Sequence, residues 1–308
     1  MKKYKPIDLS KTKTYSAQKR KTKVELDSFA KTTKKGETFK KFYNSLPEFL
    51  AVNSLKEVVK AISSAHKNKR PVIIGMGAHV IKVGLNPLII DLMKKGIVNC
   101  VAMNGAGAIH DFEVATLGRT SEDVAEGLGT GMFGMVEETL RDINEGVKGN
   151  GERGMGKVLG EKIIEMKAPH RALSILATAA ELDIPVTVHV AIGTDTVHMS
   201  PHVDPKALGE ATFVDFRILC SVISDLEGGA YLNIGSAVLL PEVFLKALTV
   251  ARNLGHKVKN FTTVNMDMIQ HYRPHQNVLS RPGGTAYALT GHHEIMVPLL
   301  YQALMESL

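Results

Sequence analysis

Two stretches, HMSPH at 198–202 and HYRPH at 271–275, each carry two histidines four residues apart with a proline just before the second. Imidazoles can share a metal, move protons near neutral pH or contact an anion. Spacing of four puts two ligands on one face only in a helix, and Pro201 and Pro274 make both segments loops. A metal would need three or more converging ligands, which His198, Asp195, His202 and Glu242 could supply. No bound metal is expected, and the histidines read better as acids, bases or anion contacts.

Glycine turns form a second set of candidates. GTGMFG (129–134) and GNGERG (149–154) fit G-x-G-x-x-G, and GERGMGKV (151–158) nearly fits a P-loop. The first two follow helical patterns rather than strands, and the third has Val158 where a magnesium-binding hydroxyl is needed. GMGAH (75–79), NGAGAIHD (104–111) and NIGSAV (233–238) do follow apolar runs. Glycine there lets a phosphate or ring approach the backbone without a Cβ clash, so three such turns point to a nucleotide cleft.

The elements that would position these turns alternate from residue 45 onward. Helical spacing at 54–67, with Ser54 or Asn53 as cap, precedes the apolar strand PVIIG (71–75), and a helix at 86–96 precedes IVNCVAM (97–103). HRALSILATAAELD, ATFVDFRILCSVISDLE and PEVFLKALTVARNLG read as helices, each followed by a strand: IPVTVHVAI, AYLNIG and NFTTVNM. HEIMVPLLYQALMESL closes the chain as a helix. Continuous apolar strands between helices imply an α/β fold, a doubly wound, mostly parallel sheet with helices on both faces. Ligands in such sheets bind at the carboxyl ends of the strands. Residues 118–160 are glycine-rich without a clear strand and read as an insertion, mobile or shaped by a neighbouring subunit. Within it, Thr120 and Asp123 of TSEDV are spaced as a capping box.

The net charge of +7 over 308 residues is unevenly spread. Residues 1–44 hold fourteen Lys/Arg against four Asp/Glu, a net +10, so the rest sums to −3. A nearly neutral body argues against nucleic acid as a partner. Residues 1–45 read as a basic arm, solvated or wrapped on a subunit, with an acidic partner as the alternative. Residues 46–308 read as one α/β domain. No apolar run is long enough to span a membrane. Cys100 and Cys220 are too few for a disulfide framework and sit in apolar segments as core packing, so a cytoplasmic location is expected.

The stretch GMGAHVIKVGLNPLIIDLMKKGIVNCVAMNGAGAIHDFE resembles the core of deoxyhypusine synthase, whose pattern is a Gly-x-Thr-Ser-Asn turn, a helix, then a strand into Thr-Ala-Gly-Gly-Val-Glu-Glu-Asp. SILATAAELDIPVTV, LNIGSAVLLPEVFLKA, the VNM of 264–266 and IMVPLL extend the similarity over about 50–308, in order. The resemblance implies a homotetramer with NAD bound between subunits. It assigns cofactor contacts to Gly75, Gly77, Ala78 and His79 in the first turn. Met103, Asn104, Gly105 and Asp111 follow in the second, Gly235 and Ser236 in the third, and Asn265 on the late strand.

The sequence departs from the family where the chemistry is done. The family reaction oxidises spermidine with NAD and carries the aminobutyl group on a lysine of a Trp-Gly-Lys segment. This chain has no tryptophan, and the corresponding stretch NVLSRPGG offers only Arg281, which cannot form an imine. Carboxylates of the polyamine pocket become His110, His198, His271 and, near the end of the cofactor set, His292, while Glu242 stands where the family has a histidine. A pocket that trades acids for imidazoles suits a neutral or anionic small-molecule substrate. The leading expectation is therefore an NAD-dependent transferase or oxidoreductase acting at a C–N or C–O carbon. His198 or His271 would take the proton, Asp195 or Glu242 would orient it, and His110 would lie in the same cleft. The alternatives are a metal-dependent hydrolase or lyase on the same fold, and a non-catalytic NAD-binding protein.

Overall fold

The computed structural model describes residues 3–308; residues 1 and 2 of the basic arm lie outside the described residues. The chain divides into two compact units, Met1–Phe49 and Leu50–Leu308. In the first, helix α1 (Phe39–Ser45) starts on Thr38, whose hydroxyl accepts the Lys41 N–H. Bonds from Lys31 N to Ser45 O and from Glu48 N to Ser28 O, both 2.9 Å, fold the stretch back on itself. Its apolar side chains Tyr4, Ile7 and Leu26 are exposed.

The second unit is built on six parallel strands: β1 (Val72–Met76), β2 (Cys100–Asn104), β3 (Val186–His189), β4 (Ala230–Ile234), β5 (Thr262–Asp267) and β6 (Thr285–Thr290). Their spatial order is β3-β2-β1-β4-β5-β6. The direction of winding reverses between β1 and β4, which opens a crevice at their carboxyl ends. β1 is buried along its whole length, and alternate residues feed two cores. Ile73 joins Cys100, Tyr231 and Phe244 on one face, while Val72 and Ile74 meet Ile62, Ile89 and Val297 on the other. This two-sided burial is why the strands read as unbroken apolar runs. The edge strand β6, TAYALT, has one neighbour and exposes Ala286, Ala288 and Thr290, so it carries no such run and escapes a reading based on hydrophobicity.

Helices α2 (Leu50–Lys67), α3 (His79–Lys82), α4 (Asn86–Lys94) and α5 (Gly105–Leu117) link the first strands. α2 begins a turn earlier than its Ser54 or Asn53 cap would have it. Between β2 and β3 lie α6 (Val124–Thr130), α7 (Glu137–Val147), α8 (Met155–Glu165) and α9 (Ile175–Leu182). Asp123 caps α6 through the N–H groups of Ala125 and Glu126, and Thr120 faces elsewhere. α8 is packed into the core, with Leu159 and Ile163 fully buried. A Cβ on Gly156 would collide with the Val186 carbonyl, and one on Gly160 with that of Leu176. Glycine in this stretch serves close helix packing, which supplies a reason for the GERGMGKV pattern other than phosphate binding. α10 (Pro205–Ser224), α11 (Leu239–Asn253), α12 (Tyr272–Pro274, continuing into a π-helical turn at His275–Ser280) and α13 (His293–Ser307) complete the layers. Cys100 and Cys220 are both free and buried, and burial pushes the Cys100 thiol up to about 12. Among the described residues, no helix is long and apolar enough to cross a membrane.

A buried carboxylate fastens this middle segment to the sheet. Asp215 on α10 accepts the Gly156 N–H at 3.0 Å and the Val188 N–H at 2.7 Å, joining the start of α8 to β3. Burial raises its pKa to about 7 against the opposing pull of those N–H groups. An acid with a raised folded pKa binds more protons folded than unfolded, so its contribution to stability is lost as pH rises from about 4 to about 7. His189, pushed down to about 4 by burial, acts in the opposite sense. Denaturant titrations of the wild type and Asp215→Asn should therefore show the wild type losing stability relative to the variant across that window, by on the order of a few kcal/mol.

Candidate functional site

The carboxyl ends of β1 and β4 meet through glycine. Gly77 donates its N–H to Ile234 O at 2.9 Å, and a Cβ at Gly77 would fall inside the Gly235 carbonyl. Gly235 has φ +67° and donates to Met266 O at 3.1 Å; a side chain there would strike the ring of His293. The two turns are thus pressed backbone to backbone. His293 is buried against this turn, its Nε2 3.3 Å from Met266 O and 3.8 Å from Asp267 Oδ1. Because a carbonyl only accepts, Nε2 carries the proton. The buried Nδ1 is left without a partner, as is Asn233 Oδ1 nearby. Burial lowers the His293 pKa. Exposed His79 stands 5.5 Å from it, ring to ring.

One observation suits a dinucleotide here: the buried Nδ1 of His293, beside the point where the sheet reverses its winding, lacks a partner. Of the residues assigned to a cofactor, Gly77, Ala78, His79, Gly235 and Ser236 lie here. Ser236 also accepts the Leu240 N–H at 3.1 Å, so it caps α11 as well.

The other assigned contacts have structural occupations. Gly75 faces the hydroxyl of Tyr231, whose ring stacks on Phe244 at 3.9 Å, so glycine there makes room in the core. Met103 is fully buried. Asn104 Oδ1 caps α5 by accepting the Gly107 N–H at 3.0 Å. Gly105 lies under the carboxylate of Asp195, and a phosphate at this turn would meet that acid. Asn265 Oδ1 accepts from Asn233 across the β4–β5 pair and its Nδ2 donates to Gln270, each at 2.7 Å. His292 is exposed beside Glu294, and its neighbour His293 is the ring that reaches the crevice. An adjacent pair of histidines at a helix start cannot be told apart by sequence alone.

Asp111 is a brace. Fully buried, it accepts from Asn86 Nδ2 (3.0 Å), Ser174 Oγ (2.5 Å), Ile175 N (2.8 Å) and Leu176 N (3.0 Å), tying α5 to the start of α9. Burial raises its pKa to about 6, opposed by the Ser174, Ile175 and Leu176 bonds.

The histidines do not converge on one point. β3 and β5 are four positions apart in the sheet, about 19 Å at ~4.8 Å per strand, and His198 follows the first while His271 follows the second. His271 is exposed at the start of α12. Glu242 is committed to Arg273 (2.7 Å), Asn277 (2.8 Å) and Lys246, whose side-chain bond is the largest cause of its lowered pKa, so it orients no histidine. His202 and His275 face solvent. Among the described residues no three His, Cys, Asp or Glu side chains are grouped as a metal site.

His198, Asp195 and His110 do gather, on the β2–β3 side. The His198 ring accepts the N–H groups of Gly193 (3.1 Å) and Asp195 (3.3 Å) at Nδ1. The neutral ring therefore carries its proton on Nε2, which is buried 3.9 Å from Asp195 Oδ2. Burial raises the Asp195 pKa, opposed by His198, Thr194 and the Ala106 N–H. Beside this pair a cavity of about 440 Å³ runs along the outer face of α5 and is roofed by residues from 119 to 136. Its lining includes Ile109, His110, Glu113, Thr120, Phe133 and Asp195, with Lys82 and Arg119 at exposed positions. Glu113, Thr120 and His293 are absent from the set drawn from sequence. Glu113 could have been found, since it lies one helical turn from His110.

The architecture is that of the deoxyhypusine synthase-like α/β proteins. No protein-family model matches the chain, and no curated protein matches its sequence. Solved structures are similar. An LOR/SDH protein of Methanococcus maripaludis S2 is 17% identical with a TM-score of 0.54, covering 84% of this chain and 71% of that one. A candidate deoxyhypusine synthase from Entamoeba histolytica is 12% identical with a TM-score of 0.53, covering 88% and 94%. AgrE, solved with ornithine and NAD+, is 16% identical with a TM-score of 0.52 over 82% of this chain. The present chain spans 33% of AgrE, about a third of its length.

The brace at Asp111 makes a prediction that separates packing from ligand contact. Asp111→Ala would strand four buried donors and should lower unfolding stability by about 3 kcal/mol or more, read by denaturant titration. A stability within about 0.5 kcal/mol of wild type would contradict the assignment.

Proposed function

We propose that this chain is an NAD-dependent enzyme acting at a C–N or C–O carbon of a small, non-polyamine molecule. The observation that carries this reading is adjacency in the sheet: β1, whose turn meets β4, also pairs with β2, which runs into α5, and α3 carries both His79 and the cavity-lining Lys82. Backbone groups of Gly77, Ala78, His79, Gly235 and Ser236, with His293, would hold the dinucleotide, as AgrE's complex with NAD+ on a similar fold supports. NAD, when bound, supplies a hydride acceptor. His110 and the Asp195–His198 pair would bind the substrate and hold or move its proton, and the apolar side chains of Ile109 and Phe133 would exclude water. Arg281, bonded to Asn277 at 2.7 Å, offers no imine chemistry, so the substrate would stay unattached to the protein at that position.

Assembly as a homo-oligomer, a tetramer by the resemblance, completes the proposal. Ile192, Met199, Val238, Ile269, Tyr272 and Ile295 are exposed on the loops and helix starts beyond the strand ends. That rim is apolar enough for a second copy to cover.

Native mass spectrometry and NAD titration test the reading together. The expected result is retained or saturably bound NAD, and a substrate whose turnover reduces it. His110→Gln should lower that turnover by about 100-fold or more while NAD still binds. Failure to bind NAD, or a tightly held metal in its place, would overturn the proposal.

A further inference from the structure

The α5 cavity contains a hydrogen-bonded chain whose donor directions follow from chemistry alone. Thr120 Oγ1 lies 2.6 Å from His110 Nδ1 and makes a short bond to Glu113 Oε2. A hydroxyl has one proton and an ionised carboxylate has none to give. Bonds from His110, Thr120 and Thr139 lower the Glu113 pKa although burial, the largest single cause, raises it, so the carboxylate is ionised. Thr120 must then donate to Glu113 and accept from Nδ1. This leaves the neutral His110 ring with its proton on Nδ1 and a free lone pair on Nε2.

The chain is anchored at both ends. Glu113 Oε1 accepts the Thr139 hydroxyl of α7 at 3.2 Å, and Glu113 and His110 are one turn apart on α5. Both side chains are mostly buried, at 13% and 18% exposure, and both line the cavity. His198 shows the opposite tautomer, with its Nε2 proton turned inward to Asp195. His198 lies behind Asp195 and outside the lining, so His110 is the imidazole that faces the cavity, with its lone pair on Nε2.

We propose that Glu113, Thr120 and His110 form a proton relay in which His110 Nε2 is the base of the α5 cavity. Its ligand is a small molecule presenting an O–H or N–H proton. When Nε2 takes that proton, the ring becomes an imidazolium. The Nδ1–H bond to Thr120 and the Glu113 carboxylate behind it stabilise the new charge. Glu113 and Thr120 are positioning residues, because they act on the ligand only through the ring. Lys82 and Arg119, exposed residues of the lining, form no ion pair among the described residues, which suits a ligand with an anionic end.

The relay rests on reading the cavity as the substrate site, but it can be tested without substrate or NAD. Full-length protein labelled with ¹⁵N-histidine would be studied by long-range proton–nitrogen correlation, at a pH where the ring is neutral. The signals of His110 would be identified by their loss in His110→Gln. The expected signature is a pyrrole-type Nδ1 and a pyridine-type Nε2. Thr120→Val should abolish it and Thr120→Ser should restore it. Glu113→Gln, whose amide can donate, should shift the ring toward the other tautomer and serves if the valine variant does not fold. A proton on Nε2 in the wild type, or a signature unchanged by both Thr120→Val and Glu113→Gln, would overturn the relay. The intact signature in a protein that binds no NAD would leave the relay standing and the proposed function overturned.

Discussion

The contact that the site depends on is between two backbones, where Gly77 lies against the carbonyl of Gly235. Two βα turns meeting where a parallel sheet reverses its winding touch here because Gly77 carries no side chain at the contact, while Gly235, at φ +67°, leaves room for the His293 ring. With both residues glycine, β1 and β4 keep full pairing from Val72↔Ala230 to Met76↔Ile234. Their following helices then diverge from a common floor. His293, brought in from α13, closes that floor from the β5 side. The floor is therefore made of main chain and one imidazole.

The neighbouring cavity depends on buried carboxylates used as fasteners. Asp111 ties α5 to α9, and Asp215 ties α8 to β3. Each replaces the free N–H groups at a helix start with an internal acceptor, which costs desolvation but fixes the helices in place. α5 and β3 in turn carry His110 and the loop holding Asp195 and His198. Asp195, seated on Gly105 at the start of α5, repeats the device inside the site. Because this helix start is taken by an acid, the proposed function gives anion binding to the β1–β4 crevice and proton chemistry to the α5 face.

Much of this was legible in the sequence, and the failures have physical causes. Strands buried on both faces announce themselves as apolar runs, and five of the six do so. β6 does not, because it is largely exposed, whereas the other edge strand, β3, is buried along its length and keeps its run. Glycine turns do follow β1 and β4, whereas NGAGAIHD passes straight into α5 from Gly105, and a glycine's reason is invisible in one dimension. Gly75 makes room for Tyr231, while Gly77 makes room for Gly235. Asp111 is a cofactor contact only by the resemblance, and its partners Asn86, Ser174, Ile175 and Leu176 lie 25 to 65 residues away, where no local pattern points. The expectation that His110, His198, His271 and His292 share one wall required the strand order, which places β3 and β5 on opposite sides of the switch point. Two of those rings, His110 and His198, stay together, and His293 takes the place given to His292.

In the proposed function a backbone crevice holds the dinucleotide and a polar cavity handles proton transfer. A crystal structure grown with NAD tests that division most directly. It predicts dinucleotide density across the turns at Gly77 and Gly235, with the nicotinamide end directed toward His110. Density for the dinucleotide inside the α5 cavity, in contact with Asp195 and away from both glycines, would contradict it.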